Sequence, residues 1–391
     1  MLRNGCARRE AVRTVDRESG STPVRRGDFV VLPRGNRNCN QNARSAYSGL
    51  SFEDAHGGCF GLGSIRFTSR SIADSIAESE TSVTENRFHD ESVDSESVRY
   101  DSNVFVSVII PARNSLPDLD LQLDGLVRQT YSGPMEVIVS DNGSDDELVD
   151  HIRRYAGSDA LRLRRVDASH KAGASYARNV GAEAAHGEFL AFCDADDVVH
   201  PDWITTLVEL AREHDVVGTA VETESVNTAR ALDWTPTTPP ESQGQTTFLP
   251  YAIGASLGCW ATVFEDVGGM SCDLQASEDV EFCWRAQLKG YRLAFAQTQL
   301  VGYRLRDRLV PLVRQSYRLG YGFAQVQGIY RNHGCPPVHL RRAMRWWGLL
   351  MLGNPLVPRA ITRVSRGQWL RAVAAHIGEV RGGVKYRTFV W

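Results

Sequence analysis

Residues 189–198 read FLAFCDADDV, an apolar run cut off by three carboxylates within four positions. Phe189 to Cys193 has the length and residue types of a strand buried on both faces of a parallel sheet. Asp194, Asp196 and Asp197 then stand at the carboxyl end of that strand, where open α/β sheets bind ligands. Carboxylates this close repel one another unless a cation or a set of donors offsets them. Oxygen-only sites of this kind suit Mg2+ or Mn2+, which commonly carry substrate phosphates. The competing reading is a polar turn in which Asp197 caps the helix after His200-Pro201.

On either side of this stretch, strands and helices alternate. Val104 to Ile110 is a nearly continuous β-branched run, closed by Pro111-Ala112-Arg113-Asn114, and predicts a central strand. Leu119, Leu123, Leu126 and Val127 follow at helical spacing behind Pro117. Met135 to Ser140 predicts a second strand, ended by Asp141-Asn142-Gly143-Ser144, and Leu161, Leu163 and Val166 alternate as a third. Gly173 to Ala185 is a helix of small residues. Trp203, Leu207 and Leu210 mark another helix, and Val216 to Val221 another strand. Spacing of this sort means βαβ units and a parallel sheet. Neither GxGxxG nor GxxxxGK[ST] occurs, so a dinucleotide or P-loop fold is not indicated.

Regularity lapses over 222–247, rich in Thr, Pro, Glu and Gln, which reads as a lid or connector on the substrate side. Phe248 to Phe264 carries no charge for 17 residues, but Pro250, Gly254 and Gly258 interrupt it. It reads as a buried segment. Ser277-Glu278-Asp279 opens a helix with Val280, Trp284 and Leu288 on its inner face, and Tyr291 to Ala296 returns as a strand.

Charge is unevenly placed. Residues 104–303 hold 30 Asp/Glu against 14 Lys/Arg, while 304–391 hold 2 against 16. An acidic catalytic body and a basic region facing something anionic follow from this. Residues 1–102 read as a disordered tail: 71–101 alone carry 9 acids and 2 bases among many serines, and Phe29-Val30-Val31-Leu32 is too isolated to build a core. The eight cysteines show no CxxC pair, which argues against a zinc site or disulfide framework and fits a reducing, cytoplasmic setting. The amino terminus lacks the apolar core of a signal peptide, and no run of 18 apolar residues exists.

Five blocks, in order, resemble the family-2 glycosyltransferases of the GT-A fold: VSVIIPARN at 106–114, VSDNGSDD at 139–146, AGASYARNVGAEAAHGEFLAFCDADD at 172–197, VFEDVGGM at 263–270 and SEDVEFCWR at 277–285. The resemblance covers roughly 104–330. It implies an α/β nucleotide-diphospho-sugar transferase fold with a mostly parallel central sheet and helices on both faces. The catalytic domain would span 103–305, with a basic helical extension over 306–391. Pro111, Arg113 and Asn114 would then receive the nucleotide, with Asp141 and Asn142 at the base or ribose and Lys171 and Arg178 flanking it. Asp194, Ala195 and Asp196 match the family's DxD, with Asp196 as direct ligand of Mn2+ or Mg2+ and Asp194 nearer the ribose or in a supporting place. Asp279 matches the catalytic base, with Glu278 beside it. Many relatives carry a His before a Tyr-Arg-x-Arg run, whereas this chain has Gly302 before Tyr303-Arg304-Leu305-Arg306, which puts a third protein metal ligand in doubt. Ser256 stands where relatives often have Asn.

The chemistry suits these residue types. A cation stabilises charge on a departing diphosphate, and a carboxylate takes the proton of an attacking hydroxyl. A base opposite the leaving group gives inversion. The expected partners are a nucleoside diphosphate sugar and a saccharide or lipid-linked acceptor, with no nucleic acid. Arg341 to Leu352 joins three arginines to two tryptophans and an apolar run, which reads either as an in-plane helix at an anionic membrane surface or as a helix packed on the acidic body. Two rival functions stay open: a weakened member that binds nucleotide sugar as a scaffold, and a nucleotidyltransferase, which lacks the Gly-rich, Lys-containing loop it needs.

Overall fold

The computed structural model describes residues 29–31, 104–155 and 161–390. Strand β1 (Phe29–Val31) comes first, then β2 (Val106–Ala112), α1 (Asp118–Val127), β3 (Met135–Asp141), α2 (Leu148–Tyr155) and β4 (Leu163–Asp167). Helix α3 (Ala174–Glu183) leads into β5 (Phe189–Phe192), the short β6 (Val198–Val199), α4 (Trp203–Ala211) and β7 (Val216–Glu222). After α5 (Ala229–Trp234) come β8 (Leu257–Trp260), α6 (Ala261–Val267), α7 (Glu278–Lys289) and β9 (Leu293–Gly302). The carboxyl-terminal unit is α8 (Leu309–Tyr330), β10 (Val338–His339), α9 (Leu340–Leu352), α10 (Arg359–Thr362), α11 (Arg366–Tyr386) and β11 (Phe389–Val390).

The sheet order is β1-β9-β7-β8-β5-β2-β3-β4, with β6 on β9. One half, β5-β2-β3-β4, is wholly parallel, as the apolar runs require. Elsewhere the sheet is mixed: β8 runs antiparallel to both β5 and β7, and β1 and β6 run antiparallel to β9. Strand β8 arises from the uncharged segment, where a four-residue strand between Gly254 and α6 has no crossover helix before it. Strand β9 is longer than its sequence pattern, because Gln297 to Gly302 continue along β7 past a register shift.

Helices cover both faces. Val106, Val108 and Ile110 point to α1 and α4, where Leu119, Leu123, Trp203 and Leu207 are fully buried. Ile109, Leu190 and Phe192 point the other way, to Phe264 of α6 and Phe282 of α7. Burying side chains of this size contributes about 1.5–3 kcal/mol each. Gly181 lets α3 lie close on the sheet, since a Cβ there would meet Ser140 Oγ at 2.4 Å and Ile109 Cγ2 at 2.6 Å.

Two expectations change. Phe29–Val31, read as too isolated to build a core, pairs antiparallel with β9, with Phe29 opposite Ala296. Three residues need no core of their own when an existing edge supplies the ladder. The rest of the expected tail, over 1–102, lies outside the described residues. Leu288, placed on the inner face of α7, is 44% exposed, while Val280 and Trp284 are buried. The 222–247 segment holds α5 and a short 3-10 turn, Pro240–Ser242. Gln243 pins it by accepting from the Val221 N–H and donating to the Val221 and Thr238 carbonyls.

The basic end is a helical unit docked on this body. Helices α8 and α11 cross at glycine: a Cβ on Gly320 would sit 2.0 Å from the Ala375 carbonyl oxygen, and one on Gly378 2.1 Å from that of Tyr317. Trp284 is a core residue, ringed by Phe248, Phe323 and Tyr330 and donating to the Leu249 carbonyl at 2.8 Å. It binds α7 to α8. Among the described residues no helix is long and apolar enough to cross a membrane.

Candidate active site

The parallel strands β2, β3 and β5 end side by side, delivering Arg113, Asp141 and Asp194 to one edge. The loop after β5 is held from α1: Gln122, fully buried, donates to the Asp194 carbonyl at 2.9 Å and accepts from the Val199 N–H at 2.9 Å. Ala195 is buried beneath it.

Each carboxylate of the loop has its own partner. Asp194 Oδ1 accepts from Arg178 Nη2 at 2.6 Å. Asp196 Oδ2 pairs with Arg306 Nη1 at 2.9 Å, while Arg304 Nε donates to the Asp196 carbonyl at 2.7 Å. Asp197 Oδ1 accepts from the Arg304 N–H at 2.7 Å, and its Oδ2 is buried with no partner among the described residues. The helix-cap reading of Asp197 does not hold; it points inward instead. Burial, then the neighbouring Asp194, pushes Asp197 well above the usual carboxylate range. Asp196 is raised too, by burial, although Arg306 pulls the other way.

Across from this loop, α7 begins at Ser277, whose φ of 64° is rare for a residue with a side chain. Such backbone clusters at working sites. Glu278 Oε1 accepts from Arg178 Nη1 at 2.8 Å. Asp279 Oδ2 accepts from the Gly254 N–H at 2.9 Å and Oδ1 from the Val280 N–H at 2.8 Å. Gly254 lies at the seam: a Cβ there would stand 3.3 Å from Arg178 Nη2 and 3.5 Å from Asp279 Oδ2. Burial and adjacent Glu278 lift Asp279 to about 6. Arg178 therefore joins two acidic junctions that lie 84 residues apart in sequence, from Asp194 to Glu278.

The other candidates form the nucleotide edge. Asn114, at φ 50°, donates its N–H to Ser144 Oγ at 3.1 Å and accepts from the Asp145 N–H at 2.9 Å, so β2 and the loop after β3 are tied together. Arg113 is exposed and Pro111 partly so. Asp141 is buried; Oδ1 accepts from the Ser144 N–H, and Oδ2 from Arg165 Nε at 2.8 Å and Nη2 at 2.6 Å. Asn142 staples the next loop, donating to the Ala168 and Lys171 carbonyls and accepting from the Gly173 N–H. Lys171 itself is exposed, 4.0 Å from Asp273. Ser256 is structural, accepting from the Trp203 indole at 2.9 Å beside Thr219. A Cβ on Gly302 would stand 2.7 Å from Ser225 Oγ and 2.8 Å from Glu222 Oε1, so a larger residue there requires these two side chains to turn aside.

Gln122, Arg165, Arg304 and Arg306 belong to the site and were not among the sequence candidates. Arg304 and Arg306 were visible in the Tyr-Arg-x-Arg run; Gln122 and Arg165 carry no local signal.

No group of three metal-binding side chains occurs among the described residues. Asp194 Oδ2 and Asp196 Oδ1 stand outside the arginine pairs above, and two hard carboxylate oxygens with substrate phosphate are donors that suit Mg2+ or Mn2+. On donor chemistry the residues fit such an ion.

The acidic loop at the carboxyl ends of parallel strands, faced by a second acidic helix start, is the arrangement that the resemblance to GT-A transferases implies. The model of glycosyl transferase family 2 matches residues 107–268. Glycosyltransferase AglE of Haloferax volcanii is 31% identical over 227 residues, covering 57% of this chain and 74% of that protein. The pre-mycofactocin glycosyltransferase of Mycobacterium tuberculosis is 26% identical over 262 residues, covering 64% of this chain and 53% of that protein. The chain belongs to glycosyltransferase family 2. It spans about three quarters of the first relative and about half of the second. A mannosyltransferase from Pyrobaculum calidifontis, solved with GDP-mannose and Mn2+, aligns over 71% of this chain and 87% of its own at 18% identity and a TM-score of 0.47.

Proposed function

We propose that this glycosyltransferase moves a sugar from a nucleoside diphosphate sugar to an acceptor hydroxyl with inversion at the anomeric carbon, in polysaccharide or glycolipid synthesis. One observation carries the reading: Arg178 holds Asp194 and Glu278 at once, so the base candidate Asp279 and the diphosphate side face one cleft.

Asp279 is the better base of the acidic pair. Glu278 is engaged by Arg178, whereas Asp279 takes only backbone donors and is lifted to about 6, near neutral operating pH. At neutral pH it is mostly ionised and ready to take the acceptor proton. The nucleotide lies along Pro111, Arg113, Asn114, Asp141, Asn142 and Lys171. Arg178 flanks the nucleotide and orients Asp194 and Glu278.

Asp194 and Asp196 would hold a Mg2+ or Mn2+ ion, with Arg306 leaving Asp196 for the donor's phosphates. When bound, the ion neutralises charge on the departing diphosphate. The pairing of Asp196 with Arg306 also favours a second reading, a nucleotide-sugar-binding scaffold with weak turnover, if that arginine does not yield.

A thermal-shift panel of nucleoside diphosphates with Mn2+ tests the proposal. One base should raise the melting temperature by mass action, and Asp196→Ala should lose the metal-dependent part. No shift with any base would sink it. Donor turnover separates enzyme from scaffold.

A further inference from the structure

The unit that follows the catalytic body exposes apolar side chains in a stretch rich in arginine. On α9, Met344, Gly348, Met351 and Leu352 fall at i, i+4, i+7 and i+8, one side of the helix. The other side is taken: Trp347 packs on His376 of α11 with ring centroids 5.0 Å apart, Leu350 is buried, and its carbonyl accepts from the Trp369 indole at 2.8 Å. Met344, Met351, Leu352, Leu356 and Ile361 are between 65 and 92% exposed. Large apolar side chains grouped this way mark an interaction surface.

Charge identifies what covers it. From residue 308 to 378 the chain holds eleven arginines and no acidic residue. Arg345 and Arg363 are exposed and neighbour Met344 and Ile361 in sequence, and Arg341, Arg342 and Arg359 lie in the same stretch. A second copy of this face would set arginine against arginine. An apolar helix side flanked by arginine is the arrangement that lies in the plane of an anionic bilayer.

The face is coupled to the cleft. Arg306, the partner of Asp196, stands three residues before α8. Gly367 at the start of α11 packs so close on Trp234 of α5 that a Cβ would meet its ring at 2.2 Å, and Ser365 Oγ donates to the Asp233 carbonyl. Trp234 lies in the 222–247 segment, read as a lid or connector on the substrate side.

We propose that α9 and α10 seat this glycosyltransferase on an anionic phospholipid surface, so that the acceptor side of the cleft meets a lipid-linked acceptor. The acceptor clause rests on the proposed function; the docking surface does not.

The test is flotation of the full chain with vesicles of phosphatidylglycerol and phosphatidylcholine against phosphatidylcholine alone, at low salt. The mixed vesicles should bind at least tenfold better. Met351→Glu with Leu352→Glu should abolish the binding, and Arg345→Ala and Arg363→Ala should each weaken it about fivefold. Because these residues lie outside the cleft, donor hydrolysis in solution should be unchanged, which confirms folding and keeps this test apart from that of the enzyme. Equal or absent binding to the two vesicle types overturns the proposal. So does a variant that binds vesicles as before but changes the oligomeric state in ultracentrifugation, or the protease sensitivity of residues 71–101. The face would then belong to a second copy or to the acidic amino-terminal segment.

Discussion

Arg178 Nη2 lies 2.6 Å from Asp194 Oδ1, and the same guanidinium holds Glu278, tying the acidic loop after β5 to the start of α7. Arg178 is nearly fully buried. Removing one partner of such a network leaves uncompensated buried charge, worth about 3–5 kcal/mol. Arg178→Met should lower the urea midpoint accordingly, and adding Asp194→Asn and Glu278→Gln should recover most of the loss. A single variant as stable as the parent would show the pairs to be incidental.

Asp279→Asn should reduce turnover about 10²- to 10⁴-fold, the usual worth of a positioned base. Glu278→Gln should cost less, because its carboxylate is already held by Arg178. With Asp279 lifted to about 6, it is protonated below that pH, so kcat/KM should fall about tenfold per unit on the acid side of 6. A flat profile between pH 5 and 7 would remove Asp279 from the role.

Asp197 gives a stability prediction of opposite sign to most carboxylates. Its folded pKa is raised, so the folded state binds more protons than the unfolded one once pH exceeds the ordinary value near 4, and stability falls as pH rises. Asp197→Asn keeps an acceptor for the Arg304 N–H and removes the charge. Its melting temperature should match the parent near pH 4 and exceed it progressively toward pH 8. A difference that is constant with pH would contradict the burial argument.

Arg306 competes with any cation for Asp196. Arg306→Ala should tighten Mn2+ binding to the nucleotide-free protein about two- to fivefold, the equivalent of the up to ~1 kcal/mol of a half-exposed ion pair. It should weaken nucleoside diphosphate binding in the presence of Mn2+. Calorimetry reads both, and a loss of Mn2+ binding would make Arg306 a support of the site and not a competitor.

The alternation of apolar runs with Pro, Gly and Asp clusters made the parallel half of the sheet legible, since βαβ spacing is local. The DxDD loop and the Glu278-Asp279 helix start were legible for the same reason. What sequence does not carry is who partners whom. The resemblance puts Arg178 beside the nucleotide, but its partners, on the loop after β5 and on a helix start 100 residues away, carry no local signal. Gln122 positions the acidic loop from α1, a contact that no motif announces. Strand β8 and the added β1 strand were invisible because each depends on an edge that exists only after folding. Leu288 missed burial because α7 has turned to solvent by its last turn.

The account stands most directly on nucleoside diphosphate release from a panel of nucleoside diphosphate sugars with Mn2+, measured for the parent protein and for Asp196→Ala. It predicts one preferred base, release of nucleoside diphosphate with an inverted sugar product, and loss of the metal-dependent rate in the variant. Pyrophosphate release, a retained anomeric configuration, or tight donor binding without any turnover would contradict it.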